Sequence, residues 1–379
     1  MFEVRKRRTR LRPAVLVIVV MIVIAALFAT TTAGATTSTV TGKGFSFSNA
    51  AKPQLQELLR PVAPFRDSVL KQSALSRFAQ SNSGLDHWWG GPTTAADGTT
   101  MTIYASSLYT QSGAAVAQSW ANYLTWLLHG SELSRLTVYF APLFEVQAIC
   151  GADALGCYSP VTQAMVVPGS HLGGVPMEQI IAHEYGHHIE ANRDNAPWSA
   201  SDWGPKYWAS NVGVCQRVQS GTAFPGDEGA HYTLNPAEAF ADSYRLLNVS
   251  RAATGSWWGP ILPFVDDQSF YPSSAAFSAV ARDVSSPWIS SAVSAWSGVF
   301  TKRRHLFRQR IVMNADGLVT VTLSQAPRGS VITLADGSTG AILASSRNTI
   351  SVTACGHESF VAGVGTRSRG RFVVSVSKA

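Results

Sequence analysis

The feature that most constrains this chain is a cluster of ionisable side chains inside an apolar helical pattern. Residues 180–188 read Ile-Ile-Ala-His-Glu-Tyr-Gly-His-His, within a helix predicted from about residue 176 to 192. At 3.6 residues per turn, His183 and His187 project from one face of that helix, within reach of one metal ion. Glu184 is displaced by about 100° and is predicted to approach the metal's open position without being a ligand. The pattern therefore predicts one Zn²⁺ per chain, with Glu184 as the general base for a zinc-activated water.

A catalytic zinc has three protein ligands, and the sequence offers the third on a second predicted helix. Residues 235–242 read Asn-Pro-Ala-Glu-Ala-Phe-Ala-Asp, which places Glu238 and Asp242 four residues apart on one helical face. Glu238 is predicted to bind zinc, and Asp242 to accept a hydrogen bond from the outer ring nitrogen of a ligand histidine. A simpler interpretation stays open, because Asn235 and Glu238 also fit a capping box. The rival third ligands are His188, His231, Asp227 and Glu228.

The paired HExxH and ExxxD motifs resemble those of the gluzincin metallopeptidases, the thermolysin-like group. The metzincin pattern is excluded, because Glu190 and Arg193 stand where it requires Gly and His. The resemblance implies a zincin-like fold and a peptide or protein substrate. It also implies that residues 156–159 form an edge strand that holds an extended substrate by backbone pairing. His231 and Tyr232 are its candidates for stabilising the oxyanion.

The order of predicted elements indicates an α+β protein with a zincin-like catalytic domain followed by a small β domain. Strand, helix and strand patterns precede the HExxH helix, so the catalytic domain is expected over residues 96–300. Short β-rich runs separated by Asp-Gly and Gly-Thr turns predict an antiparallel β-sandwich over residues 308–379. Residues 36–95 are expected to form a helical, propeptide-like segment.

The N-terminal sequence predicts export. Six basic residues among the first twelve positions precede an uninterrupted apolar run over residues 14–29 and an Ala-Gly-Ala sequence suited to signal peptidase. Residues 1–35 are therefore interpreted as a signal peptide or a signal anchor. We expect the rest of the chain to be secreted or anchored to the membrane.

The four cysteines of an exported chain predict disulfide bonds. Cys150 and Cys157 are close enough in sequence to close a small loop. That choice leaves Cys215 with Cys355, a bond that would tie the C-terminal region to the middle of the chain. The alternative, a second metal site, has no CxxC element to support it.

The charge distribution excludes one class of partner. The formal charge is +7, but removing residues 1–35 leaves 24 basic against 22 acidic residues, a balance of +2. That balance provides no electrostatic footprint for nucleic acid. A basic run at the expected domain junction is interpreted as a solvated linker or as a contact with an anionic envelope polymer or lipid surface. Its members are Lys302, Arg303, Arg304, His305, Arg308 and Arg310.

The leading function predicted from the sequence is a zinc-dependent endopeptidase. The principal alternative is a non-catalytic zincin-fold protein that binds the cell envelope through its β domain. A zinc hydrolase acting on a non-peptide bond also stays open, because a zinc ion activates water irrespective of the substrate.

Overall fold

The computed structural model describes residues 88–109, 113–170, 172, 175–251, 270 and 273–379. The predicted signal or anchor over residues 1–35, and the propeptide-like segment as far as residue 87, lie outside the described residues. Within the described part, the chain is α+β, as predicted. None of the helices described there is long and apolar enough to cross a bilayer.

The N-terminal part of the described chain is built on a five-stranded mixed sheet. Its strands are β1 (Trp88–Thr94), β2 (Thr100–Ser106), β3 (Thr137–Ala141), β4 (Cys157–Ser159) and β5 (Ala164–Pro168). Their order is β1-β2-β3-β5-β4, in which the three central strands are parallel and the two outer strands antiparallel. The short strand β4 therefore occupies one edge, where the gluzincin resemblance placed it. The sheet begins at residue 88 rather than 96, because β1 pairs with β2 along its whole length.

Eight α-helices occur in the described residues. They are α1 (Gly113–Trp126), α2 (Leu143–Cys150), α3 (Met177–Ala191), α4 (Ala200–Trp203), α5 (Lys206–Val212), α6 (Val214–Gln219), α7 (Pro236–Arg251) and α8 (Ser274–Ser285). Helix α3 carries the HExxH run, and its side chains from Met177 to Glu190 are all buried. Helix α7 carries the ExxxD run, so both predicted motif helices are present.

Residues 192–232, which show no sustained periodicity, fold into the short helices α4, α5 and α6 rather than into one long loop. Helices of four to seven residues are too short to produce a readable apolar period. Helix α5 is also held from a remote element. The carboxylate of Asp283, on α8, accepts hydrogen bonds from the backbone N–H groups of Tyr207 at 3.1 Å and Trp208 at 2.7 Å.

The C-terminal part consists of two four-stranded antiparallel sheets. Their strands are β6 (Ala292–Phe300), β7 (Leu306–Val312), β8 (Gly317–Ser324), β9 (Val331–Asp336), β10 (Ile342–Ser346), β11 (Thr349–Ala354), β12 (Ser359–Gly365) and β13 (Gly370–Lys378). One sheet has the order β11-β8-β13-β6 and the other β10-β9-β12-β7. A shared core of alternating apolar side chains, including Val321, Val364 and Phe372, holds them together. Strand β6 pairs with β13, so these sheets begin at residue 292 instead of 308.

Both expected disulfides are present. Cys150 and Cys157 close the short loop that leads into β4. Cys215, at the start of α6, is bonded to Cys355 in the turn after β11. The second bond fastens one end of the β-sandwich to the helical part of the molecule.

The basic run at residues 302–310 does not form the junction that the sequence suggested. It makes the turn between β6 and β7 and most of strand β7. The contacts to the helical part lie at the other end of the sandwich, where Lys206 Nζ donates to the backbone oxygen of Asp316 at 2.9 Å. The linker interpretation was therefore wrong, since β6 extends the sandwich on the N-terminal side of this run.

Candidate metal centre

Helices α3 and α7 approach each other closely enough to bring their motifs together. The point of approach is Gly186, where an added Cβ would lie 2.7 Å from the Cα of Ala241. Only glycine leaves room for a backbone at that distance. Glu238 precedes Ala241 by three residues on α7 and therefore faces the same neighbour as Ala241 does. The glycine inside HEYGH thus places Glu238 beside His183 and His187.

The three predicted ligands converge on one point. His183, His187 and Glu238 each offer one candidate ligand atom, and these three atoms lie within 4.8 Å of one another. Glu238 Oε2 is 3.2 Å from His183 Nε2 and 3.5 Å from His187 Nε2. Ligands about 2.0–2.1 Å from a tetrahedral zinc are separated by about 3.3 Å. The observed spacing therefore fits a zinc site made by two imidazoles and one carboxylate.

The hydrogen bonds around His187 also favour a cation at this point. Its Nδ1 is 2.8 Å from Glu190 Oε2 on the next turn of α3. With Nδ1–H donating to Glu190, the neutral ring directs its Nε2 lone pair toward the carboxylate of Glu238. A lone pair and a carboxylate in buried contact are stabilised by a proton or a metal cation between them. The donor set, nitrogen and oxygen without sulfur, suits Zn²⁺.

The pKa of Glu238 reflects the same electrostatics. Burial raises this pKa, but the charge of His187 and the hydrogen bonds with both histidines outweigh burial and hold it well below its usual value. Glu190 behaves oppositely, since its burial raises the pKa and the hydrogen bond to His187 only partly opposes that rise. The ligand carboxylate is consequently the group that stays ionised.

Glu184 lies beside the ligands and against the edge strand. Its side chain is fully buried, and it is not among the three converging ligands. A Cβ added to Gly156, the residue before β4, would come within 2.5 Å of Glu184 Oε1. The start of β4 therefore passes directly over this carboxylate. That position suits a general base acting on a peptide laid along β4.

The predicted role of Asp242 is wrong. Its carboxylate is taken by Arg245, whose Nε and Nη2 donate to Asp242 Oδ1 at 2.7 and 2.6 Å. Arg245 is itself fully buried and also bonds Gln179 on α3. The arginine, three residues on along α7, turns Asp242 into a structural link between the motif helices. The carboxylate that holds a ligand histidine is Glu190, which lies three residues after His187 on the same helical face.

The two oxyanion candidates differ in whether they contact a predicted metal ligand. The hydroxyl of Tyr232 donates to Glu238 Oε2 at 2.9 Å, so this side chain contacts a candidate ligand. His231 turns away from it, because its Nδ1 is 2.8 Å from Asp227 Oδ2 and its ring stacks on Phe224 at 3.8 Å. Tyr232 is therefore the candidate that the structure brings to the site.

The rival third ligands have other partners. Asp227 holds His231, and Glu228 accepts a hydrogen bond from Asn235 at 3.0 Å. His188 faces away from the ligands: its Nδ1 is 2.9 Å from the hydroxyl of Tyr158 on β4, and its Nε2 is 2.9 Å from the carbonyl oxygen of Glu132. Burial lowers the pKa of His188 to about 4, so it is a neutral link between α3 and the edge strand.

Sequence reasoning missed a buried ion pair behind this link. The Glu132 carboxylate accepts hydrogen bonds from Arg193 at 2.9 Å and from the Tyr185 hydroxyl at 2.9 Å. Arg193 also donates to the backbone oxygens of Asp283 and Val284 at the end of α8. No pattern in the sequence joins residues 132 and 193, because Glu132 lies in a short 3-10 helix before β3 and Arg193 follows the end of α3, 61 residues later.

Comparison with known proteins does not identify a family. No family model and no curated protein matches the chain. Among solved structures, the mitogen derived from Yersinia pseudotuberculosis aligns with 24% of this chain and 87% of its own, at 8% sequence identity and a TM-score of 0.20. A likeness this weak carries no argument about fold or function, so the functional proposal depends on the geometry of the site.

Proposed function

We propose that this protein is an exported zinc-dependent endopeptidase of the gluzincin type, with a zincin-like catalytic domain. The observation that carries the proposal is the convergence of His183, His187 and Glu238 within 4.8 Å. Two histidines four residues apart on one helix, with a glutamate from the following long helix, form the three-ligand set of a hydrolytic zinc site.

Each residue has a defined part in the proposed chemistry. A zinc ion at this centre would supply Lewis-acid polarisation and lower the pKa of a water molecule to near neutrality. Glu184 takes the proton from that water at its carboxylate and later delivers it to the leaving amine. Tyr232, already hydrogen-bonded to Glu238, is close enough to donate to developing negative charge on the substrate oxygen.

The proposed substrate lies in an extended conformation along β4. This strand is the sheet edge, and among the described residues its ladder partner is β5 alone. A peptide pairing with the other side of β4 would pass over Glu184, because Gly156 lies against that carboxylate. Glycine at this position allows the approach, since any side chain would displace the base.

Replacing Glu184 with glutamine tests the mechanism. A glutamine side chain has nearly the same volume as glutamate, but its amide cannot accept the proton from the water. We expect the Glu184→Gln variant to keep about one zinc per chain and to lose turnover of a peptide library by at least about 100-fold. The matched control is Glu145→Gln on α2, which should leave turnover unchanged. Full turnover in Glu184→Gln would contradict the assignment of the base.

The same experiment distinguishes the two alternatives. A non-catalytic binding protein would show no turnover in any variant, with or without zinc. A zinc hydrolase specific for other bonds would bind zinc but cleave only ester or non-peptide amide probes, again with dependence on Glu184.

A further inference from the structure

The β-sandwich has opposite charge character at its two ends. Four turns lie at one end: residues 301–305, 325–330, 347–348 and 366–369. They carry seven lysine and arginine side chains and no aspartate or glutamate. We call this set the basic pole; its members are Lys302, Arg303, Arg304, Arg328, Arg347, Arg367 and Arg369.

The acidic residues of the sandwich lie at the other end, which also makes the junction. Asp316 and Glu358 lie in the turns there, and Asp336 is the last residue of β9 at the same end. The Cys215–Cys355 disulfide joins the helical part at this same end. Strands of seven to nine residues separate the two ends by about 25–30 Å. The basic pole therefore points away from the junction with the helical part.

The charges of the basic pole have no acidic partner among the described residues. All seven side chains are exposed, and none forms an ion pair with an acid in the part of the chain that the structure describes. Like charges gathered on four separate turns repel one another, which is unfavourable without an external anion. The pole is therefore expected to bind an anionic partner.

A hollow between these turns is large enough for an anionic headgroup. Its volume is about 510 Å³. Hydroxyl, imidazole and guanidinium groups line it, and these groups donate hydrogen bonds to phosphate oxygens. The lining residues are His305, Arg328, Gly329, Thr366, Arg367 and Ser368.

Exposed apolar side chains border the same end. Leu306, the first residue of β7, is 50% exposed, and Val299, near the end of β6, is 51% exposed. A soluble polyanion would gain nothing from these side chains, whereas the headgroup region of a bilayer accommodates both cations and short apolar groups.

We propose that the basic pole docks on an anionic lipid bilayer and thereby orients the molecule with its helical part away from the membrane. This docking does not require the candidate metal centre. Each lysine or arginine near an anionic membrane strengthens binding by roughly fivefold, and salt weakens that contribution. The exported location expected from the N-terminal sequence places such a surface within reach of the folded protein.

Charge-removing substitutions at the basic pole test this proposal. The test protein is the full-length triple variant Arg328→Gln/Arg367→Gln/Arg369→Gln. The control, Arg135→Gln/Arg282→Gln/Lys378→Gln, removes the same number of surface charges elsewhere. Partition is measured on phosphatidylcholine vesicles with and without phosphatidylglycerol. We expect the phosphatidylglycerol-dependent partition coefficient of the pole variant to fall about 100-fold. That of the control should stay within a few fold of the parent protein.

The N-terminal basic and apolar run is common to all three proteins, so a second measurement locates the contact. Amide hydrogen exchange in the turns 301–305, 325–330 and 366–369 should slow on vesicles containing phosphatidylglycerol and not on pure phosphatidylcholine. Unchanged exchange in these turns, or equal partition of pole variant and parent, overturns the proposal. Binding to soluble polyphosphate without binding to anionic vesicles overturns it as well. Zinc content should be the same in all three proteins, which separates this result from any failure of the proposed peptidase activity.

Discussion

At the scale of single residues, the geometry of the candidate metal centre depends on which carboxylate pairs with each buried histidine or arginine. Glu190 holds His187 through a 2.8 Å hydrogen bond, and Asp242 neutralises the buried Arg245. The sequence motif assigned the histidine partner to Asp242, because the ExxxD spacing places it on the face of Glu238. What that spacing does not show is Arg245, which competes for the same carboxylate from the next turn.

Paired substitutions at these carboxylates should separate metal binding from folding. Glu190→Gln keeps only a weaker amide acceptor beside His187, so we expect zinc affinity to fall by about 10- to 100-fold with little loss of stability. Asp242→Asn leaves the fully buried Arg245 without a counter-charge, so we expect a loss of about 3–5 kcal/mol in the free energy of unfolding. Competition with a zinc chelator and urea unfolding measure the two quantities. Equal effects of both variants on zinc affinity would support the original prediction that Asp242 accepts a hydrogen bond from a ligand histidine.

At the scale of secondary-structure elements, two glycines set how closely the site's elements approach. Gly186 lets α7 pass against α3, and Gly156 lets the start of β4 pass over Glu184. Neither lies in a left-handed region that demands glycine. Glycine is required at both positions because there is no space for a side chain.

The two glycines predict opposite phenotypes for the same substitution. In Gly186→Ala, the new Cβ meets the backbone of Ala241 at 2.7 Å, so the helices must separate and Glu238 moves away from the histidines. We expect this variant to lose zinc. In Gly156→Ala, the new Cβ lies 2.5 Å from Glu184 Oε1 and 3.1 Å from Ile180 Cγ2, which are both side-chain atoms, and it displaces the carboxylate. We expect zinc to be retained while kcat falls by at least about tenfold, without a comparable change in KM.

Elemental analysis and steady-state kinetics on the two alanine variants distinguish these outcomes. The reverse pattern, with zinc lost in Gly156→Ala and retained in Gly186→Ala, would contradict the placement of both elements.

The elements that could be predicted from the sequence are those with enough length or a fixed chemical pattern. The helices that carry HExxH and ExxxD, the edge position of β4 and both disulfides followed from periodicity, motif resemblance and cysteine spacing. Strands β1 and β6 were missed. β1 reads Trp-Trp-Gly-Gly-Pro-Thr-Thr, in which Gly and Pro conceal a strand that is fixed by pairing with β2. β6 is mostly exposed on both faces, so it lacks the alternation that marks a half-buried strand.

At the scale of the whole molecule, a buried lysine lies where the helical part meets the sandwich. Lys206 Nζ donates to the backbone oxygens of Ala196 at 2.6 Å and Asp316 at 2.9 Å, and it lies 4.7 Å from the ring centre of Trp288. Burial lowers the pKa of Lys206 to about 8, against the opposing influence of the Asp316 and Asp283 charges. The Lys206 ammonium group therefore connects the helical part to the sandwich, although burying its charge is unfavourable.

This cost gives the junction a defined pH dependence. The unfolded chain holds a proton on Lys206 up to about pH 10.4, whereas the folded chain releases it from about pH 8. The unfolded state therefore binds more protons in that window, and the free energy of unfolding rises with pH, by up to about 1.4 kcal/mol per unit. Below about pH 8 both states are protonated and the cost is fully present. We expect urea unfolding to show this rise in the parent protein and not in Lys206→Met. Identical pH slopes in the two proteins would show that folding does not lower the pKa of Lys206.

The central claim is that His183, His187 and Glu238 hold one zinc ion, and zinc content tests it most directly. Elemental mass spectrometry of the purified protein should find about one zinc per chain. The Glu238→Ala variant should contain almost no zinc. The control is Glu228→Gln, which changes a nearby carboxylate that accepts a hydrogen bond from Asn235, and it should retain the zinc. No zinc in the parent protein, or full zinc in Glu238→Ala, would contradict the three-ligand centre and the hydrolytic function built on it.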